Sequence, residues 1–263
     1  MDPVTRFSNR AENYAKYRPG YPVELIAILK SECGLTDAST VADVGSGTGI
    51  LSELFLRNGN KVFAIEPNAP MRLFAERDLK FPKFVSIEAT AEATTLEPAS
   101  VDLITAGQAF HWFDREKAKR EFRRILRPEG WVVLIWNERR IDSSPFLRDY
   151  ENLLLRYGTD YEKVRHENVA SEISEFYAPE TFKLKSVENV QHFDFESLKG
   201  RTCSASYTPE PGDSNFAPMI STLQEIFNTC QSNGIVAFEY DTTIYYGRLT
   251  SGGKAEPDMA HDA

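Results

Sequence analysis

Through the first half of the chain, short apolar runs alternate with stretches whose apolar residues recur every three or four positions. Residues 41–44, 61–66, 84–88, 101–106 and 131–136 have the apolar character of strands. The intervening 48–57, 68–78 and 114–126 have helical periodicity. Local punctuation agrees with these limits. Asn58-Gly59 is a turn pair, and Asn68, just after Pro67, and Asp114 are available as N-caps; Pro128-Glu-Gly130 stops the third helix. Continuous apolar strands separated by helices predict a parallel sheet covered on both faces. Ligands of such sheets bind outside the carboxyl ends of the strands, which here are residues 45–49, 66–68, 88–92 and 106–113.

Past residue 138 the pattern changes. Residues 144–157, 168–177, 195–204 and 214–233 are predicted helical, and 182–193 and 235–249 are predicted strands. No composition break or internal repeat marks a second domain. The expectation is one domain over 1–250, with a cofactor-binding core at 35–138. Residues 139–233 would form a helical cap and substrate region containing the sixth strand, and 234–249 the last strand. Residues 251–263 have little to bury and read as a disordered tail.

The chain of 263 residues carries 30 basic and 39 acidic side chains, net −9, without a long basic tract. That balance favours a small-molecule partner over nucleic acid. Cys33, Cys203 and Cys230 lack metal or redox spacing and suit small hydrophobic positions, so no metal is expected. The first residues do not read as a signal peptide, and no apolar run reaches the ~20 residues of a membrane span. A cytoplasmic protein without a membrane partner, monomeric or homodimeric, is expected.

Val41-Ala-Asp-Val-Gly-Ser-Gly-Thr-Gly49 joins the first strand to the following helix. Its glycines let the backbone bend and let a ligand approach closely, and the helix's unpaired N–H groups face that ligand. Seventeen residues after Gly49, the second strand ends in Glu66, whose carboxylate is suited to a ribose hydroxyl pair. The dinucleotide fingerprint Gly-x-Gly-x-x-Gly fails, because Ile50 stands at its sixth position. No Gly-Lys-Ser/Thr phosphate cradle is present. Asp43 is suited either to the ligand or to fixing the turn through loop amides.

With these residues in view, the chain resembles the class I S-adenosylmethionine-dependent methyltransferases over roughly residues 35–137. The glycine loop is similar to their first motif, and Val-Phe-Ala-Ile-Glu-Pro-Asn to their acidic second-strand motif. The resemblance implies an α/β, Rossmann-like seven-stranded sheet, mostly parallel with the last strand antiparallel, and S-adenosylmethionine as cofactor. It also implies that Gly45, Ser46 and Gly47 pass the methionine part and Glu66 takes the ribose, with Asp43 and Gly49 also among the cofactor-binding residues. Asn68 and Met71 would lie near the adenosine, and Thr90, Ala91 and Glu92 would line the adenine. Gly107, Gln108 and Ala109 would back the sulfonium and the amino-acid moiety. The segment Phe7-Ser-x-x-Ala11-x-x-Tyr14-x-x-Tyr17-Arg18-Pro19-Gly-Tyr21-Pro22 and the segment Gly107-Gln-Ala-Phe-His-Trp-Phe-Asp114 resemble a subgroup of the type 11 methyltransferases. That subgroup includes trans-aconitate-methyltransferase-like and fungal small-molecule enzymes.

The implied activity is in-line methyl transfer to an oxygen, carboxyl or other heteroatom of a small molecule. A base is needed only when the acceptor atom carries a proton. His111 is the candidate base, since its ordinary pKa near 6.5 suits proton removal at neutral pH. Trp112 and Phe113 are suited to wall the pocket or to pack the core. Tyr17, Arg18, Trp112 and Arg140 are the candidate acceptor contacts, with Arg139 beside them, and each also suits packing or a solvated surface. His166, His192 and His261 show no partner pattern. Two alternatives remain at this stage. One is a SAM-binding regulatory module with weak or lost catalysis. The other is a protein or RNA methyltransferase, which the acidic balance and the missing Asn/Asp-Pro-Pro-Tyr/Phe motif oppose.

Overall fold

The computed structural model describes residues 16–161 and 169–249. The expectations for Phe7, Ala11, Tyr14, His166, His261 and the tail 251–263 lie outside the described residues. Helix α1 (Glu24–Cys33) leads into the alternating core β1 (Thr40–Val44), α2 (Ile50–Arg57), β2 (Lys61–Ile65), α3 (Ala69–Asp78) and β3 (Phe84–Ile87). Strand β4 (Val101–Gly107), a short 3-10 turn (Phe110–Trp112), α4 (Arg115–Ile125) and β5 (Leu126–Arg139) follow. The second half runs α5 (Pro145–Tyr157), α6 (Val169–Tyr177), β6 (Phe182–Phe193), α7 (Phe195–Cys203), α8 (Phe216–Cys230) and β7 (Val236–Gly247).

The cap residues read from the sequence act as caps. Asn68 accepts from the Met71 N–H at 3.0 Å and Asp114 from Lys117 N–H at 3.2 Å; Ser144, not singled out in the sequence, caps α5 by accepting from Leu147 N–H at 3.2 Å. The seven strands form one sheet in the order β3-β2-β1-β4-β5-β7-β6. The first five strands are parallel, and β7 runs antiparallel to both neighbours. Helices α1, α2 and α3 bury Leu25, Leu29, Leu51, Phe55 and Ala75 against one face. On the other face, Ala118 and Phe122 of α4 pack with Phe110, Trp136 and Phe176.

Two features depart from the sequence expectation. Strand β5 begins directly at the end of α4 instead of at Trp131. Leu126 pairs with Val101 and Trp131 with Leu103, so residues 127–130 bulge out where Pro128 interrupts the ladder. In addition, the region 139–233 is not all cap. Ile173, Phe176 and Tyr177 of α6 lie in the sheet-face core, where Phe176 meets Phe110 at 4.9 Å between ring centroids. The Tyr177 hydroxyl donates to the Val132 carbonyl at 2.9 Å. An apolar helix face beside α4 has a better partner in the sheet than in a lid.

The β6/β7 ribbon projects beyond the end of β5, because residues 236–239 pair only with β6. Helices α5, α7 and α8 pack on this overhang in a separate core around Tyr150, Leu198, Leu223 and Phe238. The strand ends thus gain a wall on one side.

The loop after β3 is clamped to α4. Glu121, 8 % exposed, accepts from the Thr94 N–H at 2.8 Å, from the Thr94 hydroxyl, and from Arg124, which also donates to the Leu96 carbonyl at 2.7 Å. Glu121→Ala would leave Thr94 and Arg124 without their carboxylate and is expected to lower the unfolding free energy by about 2–3 kcal/mol. Urea denaturation with an unchanged slope checks this; an unchanged midpoint would show the clamp contributes nothing.

Candidate functional site

A cavity of about 670 Å³ opens at the carboxyl ends of the parallel strands, within the range of small-molecule sites. On one side it is floored by the glycine loop. Gly45 has φ +68°, and a Cβ there would lie 2.5 Å from the Ala109 Cβ. Gly47 has φ +57°, and its Cβ would meet only Met71, at 3.7 Å. The first glycine is therefore needed for packing. At the second, the left-handed backbone itself excludes a side chain and leaves the amide close to the cavity. Gly49 is absent from the cavity wall; its Cβ would meet the Leu79 Cδ1 at 2.5 Å, and it serves as the cap of α2 at φ +84°.

Glu66 ties the loop together. Its Oε2 accepts from the Gly47 N–H and its Oε1 from the Asn68 N–H, both at 2.8 Å. The loop also hangs on β2 through the Gly45 and Ser46 N–H groups, which donate to the Ile65 carbonyl at 2.9 and 3.1 Å. Glu66 is 7 % exposed, and burial pushes its carboxyl upward against the pull of the Asn68 and Gly47 amides. Each carboxylate oxygen keeps acceptor capacity beyond the one amide it binds. The carboxylate lines the cavity, so the residues present fit a diol-bearing nucleoside.

Asp43 lies beneath the loop. Ser52 donates its hydroxyl to one oxygen at 2.6 Å and Thr105 to the other at 3.2 Å. Burial pushes its pKa up to about 6, with the Ser52 and Thr105 hydroxyls opposing. Asp43 thus fixes β1 to α2 and β4 while also facing the cavity.

Asn68, Met71, Thr90, Ala91 and Glu92 line the cavity beside Glu66. Glu92 also accepts from the Asp114 N–H at 2.8 Å, which joins the ends of β3 and β4. Gly107, Gln108 and Ala109 form the next stretch of wall. Gln108 holds φ +56°, an uncommon backbone for a side chain of this size. Two bonds to β5 maintain it: its N–H donates to Ile135 O at 2.9 Å and its Nε2 to Asn137 O at 3.0 Å.

His111, Trp112 and Phe113 also line the cavity, with the His111 and Trp112 rings 4.6 Å apart and the Phe113 ring beside Gly45. Arg18 reaches the same wall and donates to the Ser204 carbonyl at 3.3 Å. Two sequence expectations are corrected here. Tyr17 is not among the lining residues; its ring lies against Gly200 of α7, and its carbonyl accepts from Gln191. Arg140 is likewise outside the lining, held by Asp241 at 2.7 Å and Glu188 at 2.9 Å on the outer side of the sheet. Its neighbour Arg139 lines the cavity instead.

Glu138, Tyr161, Arg201, Ser206, Tyr207 and Tyr240 also line the cavity and were not read from the sequence. They come from the end of β5, the cap helices, the segment after α7 and β7, elements far apart in the chain with no motif of their own. Of the cysteines, Cys33 and Cys230 are half-buried at the edges of the apolar clusters. Among the described residues, no helix is long and apolar enough to cross a membrane.

The methyltransferase domain family matches residues 42–134. An uncharacterized methyltransferase of Schizosaccharomyces pombe is 34% identical over 149 residues, 56% of this chain and 58% of that protein. An uncharacterized methyltransferase of Mycobacterium bovis is 36% identical over 133 residues, 51% of this chain and 52% of the other. The chain thus spans between about half and three-fifths of the length of these curated relatives. The solved structure of a protein from Anaeromyxobacter dehalogenans assigned as a type II methyltransferase superposes with a TM-score of 0.68 at 24% identity. The match covers 89% of this chain and 98% of that one, and at this identity it shows the fold.

The Asp43 environment gives a pH-dependent expectation. A carboxyl moved from its ordinary 3.8 to about 6 disfavours the ionised native form by on the order of 3 kcal/mol. A folded-state pKa above the unfolded one makes stability greatest at low pH and erodes it as pH rises to the folded value. The stability of the wild type relative to Asp43→Asn is therefore expected to fall between about pH 4 and pH 6 and to level off above. A difference that does not change with pH contradicts this environment for Asp43.

Proposed function

We propose that this chain, whose residues 42–134 match the methyltransferase domain family, is a class I S-adenosylmethionine-dependent methyltransferase that methylates a small molecule. The observation that carries the proposal is the Glu66 carboxylate. It is buried at the cavity wall, held by the Gly47 and Asn68 amides, and beside a loop whose backbone is open to a ligand. When bound, S-adenosylmethionine supplies a methyl group activated on a sulfonium.

What remains for the protein is to bind, orient and exclude water. Glu66 accepts hydrogen bonds from the ribose hydroxyls. Gly45, Ser46 and Gly47 give the amino-acid end close backbone contact, with Asp43 beneath. Asn68 and Met71 flank the adenosine, Thr90, Ala91 and Glu92 the adenine, and Gly107, Gln108 and Ala109 back the sulfonium. Trp112 and Phe113 form the aromatic side of the reaction space, and Arg18 contacts the acceptor. Helices α5, α7 and α8 on the β6/β7 overhang cap that space. His111 receives the acceptor's proton where the attacking atom is a hydroxyl or amine.

Calorimetry with S-adenosylhomocysteine is expected to show one saturable site, and Glu66→Ala to weaken it by about 1.5–3 kcal/mol, roughly 10- to 150-fold. Equal affinity in the variant would remove Glu66 from the site. Release of S-adenosylhomocysteine with a panel of small acids, phenols and thiols tests turnover; binding without turnover on any acceptor would favour a regulatory module. The acidic limb of the rate profile is expected to disappear in His111→Gln, and an unaltered profile would remove His111 as base.

A further inference from the structure

Two guanidinium groups meet on the cap side of the cavity, and only one has a carboxylate partner. Arg139, at the end of β5, donates through Nη2 to Glu151 and to the Tyr161 hydroxyl at 3.0 Å. Arg201, on α7, is 5 % exposed and donates through Nε to the Tyr240 hydroxyl at 3.3 Å. The ionisable groups acting on Arg201 are Tyr240, Tyr150 and Tyr207. Among the described residues no carboxylate forms an ion pair with Arg201.

The two arginines converge. The Arg139 guanidinium sits 5.1 Å from the Tyr150 ring centre, and both arginines act on the Tyr150 hydroxyl. Both residues line the cavity, and in each Nη1 is buried with no hydrogen-bond partner among the described residues. Trp136, which packs in the core on the opposite sheet face, also touches the cavity and has a buried Nε1–H with no such partner. Among the described residues the carboxylate paired with these two guanidinium groups is Glu151, and it binds Arg139; Glu138, next to Arg139 in the chain, also lines the cavity.

A buried, uncompensated guanidinium with an unused donor is expensive for a fold to keep. Guanidinium donors suit planar, charge-assisted binding of a carboxylate. We propose that Arg201, with Arg139, binds a carboxylate group of the methyl acceptor. This rests on the methyltransferase reading, since it assigns the acceptor side of the same cavity; the carboxylate is a recognition handle, whichever atom receives the methyl group.

The test uses acetate as the smallest carboxylate probe, on the full chain saturated with S-adenosylhomocysteine. Thermal unfolding is followed against acetate, with chloride at equal ionic strength, acetamide and inorganic phosphate as the comparison arms. Acetate is expected to raise Tm saturably beyond chloride, while acetamide gives no such rise and phosphate a smaller one. Arg201→Met is expected to weaken the apparent acetate affinity at least tenfold, to bind S-adenosylhomocysteine as the wild type does, and to keep or raise the Tm of the acetate-free protein. Arg201→Gln, which retains hydrogen-bond donors without the charge, should lose acetate binding to a similar extent. The proposal is overturned if acetate acts no differently from chloride or acetamide, or if either variant responds to acetate as the wild type does. It is also overturned if phosphate binds more tightly than acetate, or if Arg201→Met sharply destabilises the acetate-free protein, as a purely structural arginine would. Failure to bind S-adenosylhomocysteine at all would instead sink the underlying methyltransferase reading, and the two failures are read from separate titrations.

Discussion

The ligand end of the sheet depends on one buried carboxylate. Glu66 joins the glycine loop, the end of β2 and the start of α3 by accepting from the Gly47 and Asn68 amides. Without that bridge the loop would retain only its strand-to-strand bonds to Ile65. Burying an anion is unfavourable in itself. Here the two amides, Arg72 nearby and the N-terminus of α3 favour the charged form. The strand ends can therefore present an acidic oxygen to a ligand without opening to water.

The charged groups of the cavity are unevenly placed. Asp43, Glu66 and Glu92 line it near the glycine loop, whereas Arg18, Arg139 and Arg201 line it on the cap side, with Glu138 next to Arg139. Under the proposed reading, a sulfonium-bearing cofactor would meet the acidic groups and an anionic acceptor the guanidinium groups. The β6/β7 overhang makes this possible, because it supplies the surface on which α5, α7 and α8 hold Tyr150, Glu151 and Arg201.

The glycine-loop half of the cavity wall was legible in the sequence because it is made of local segments at strand ends. Val41 to Gly49 and Glu66 carry their geometry in strand-turn-helix spacing, and Thr90–Glu92 and Gly107–Ala109 follow from the same rule. Gly49 was assigned to the ligand but packs on Leu79, a contact no local pattern announces. The acceptor half was mostly illegible. Whether Arg139 or Arg140 faces inward depends on strand register, and Arg201 reaches the cavity only because α7 docks on β7. The same long-range docking removed Tyr17 from the wall and drew α6 out of the cap onto the sheet.

The most direct test of the central claim is a crystal structure of the chain with S-adenosylhomocysteine. The ribose hydroxyls should donate to Glu66, with the amino-acid end at Gly45 to Gly47 and the adenine beside Thr90 to Glu92. A nucleoside bound elsewhere, with Glu66 contacting only the Gly47 and Asn68 amides, would contradict the account.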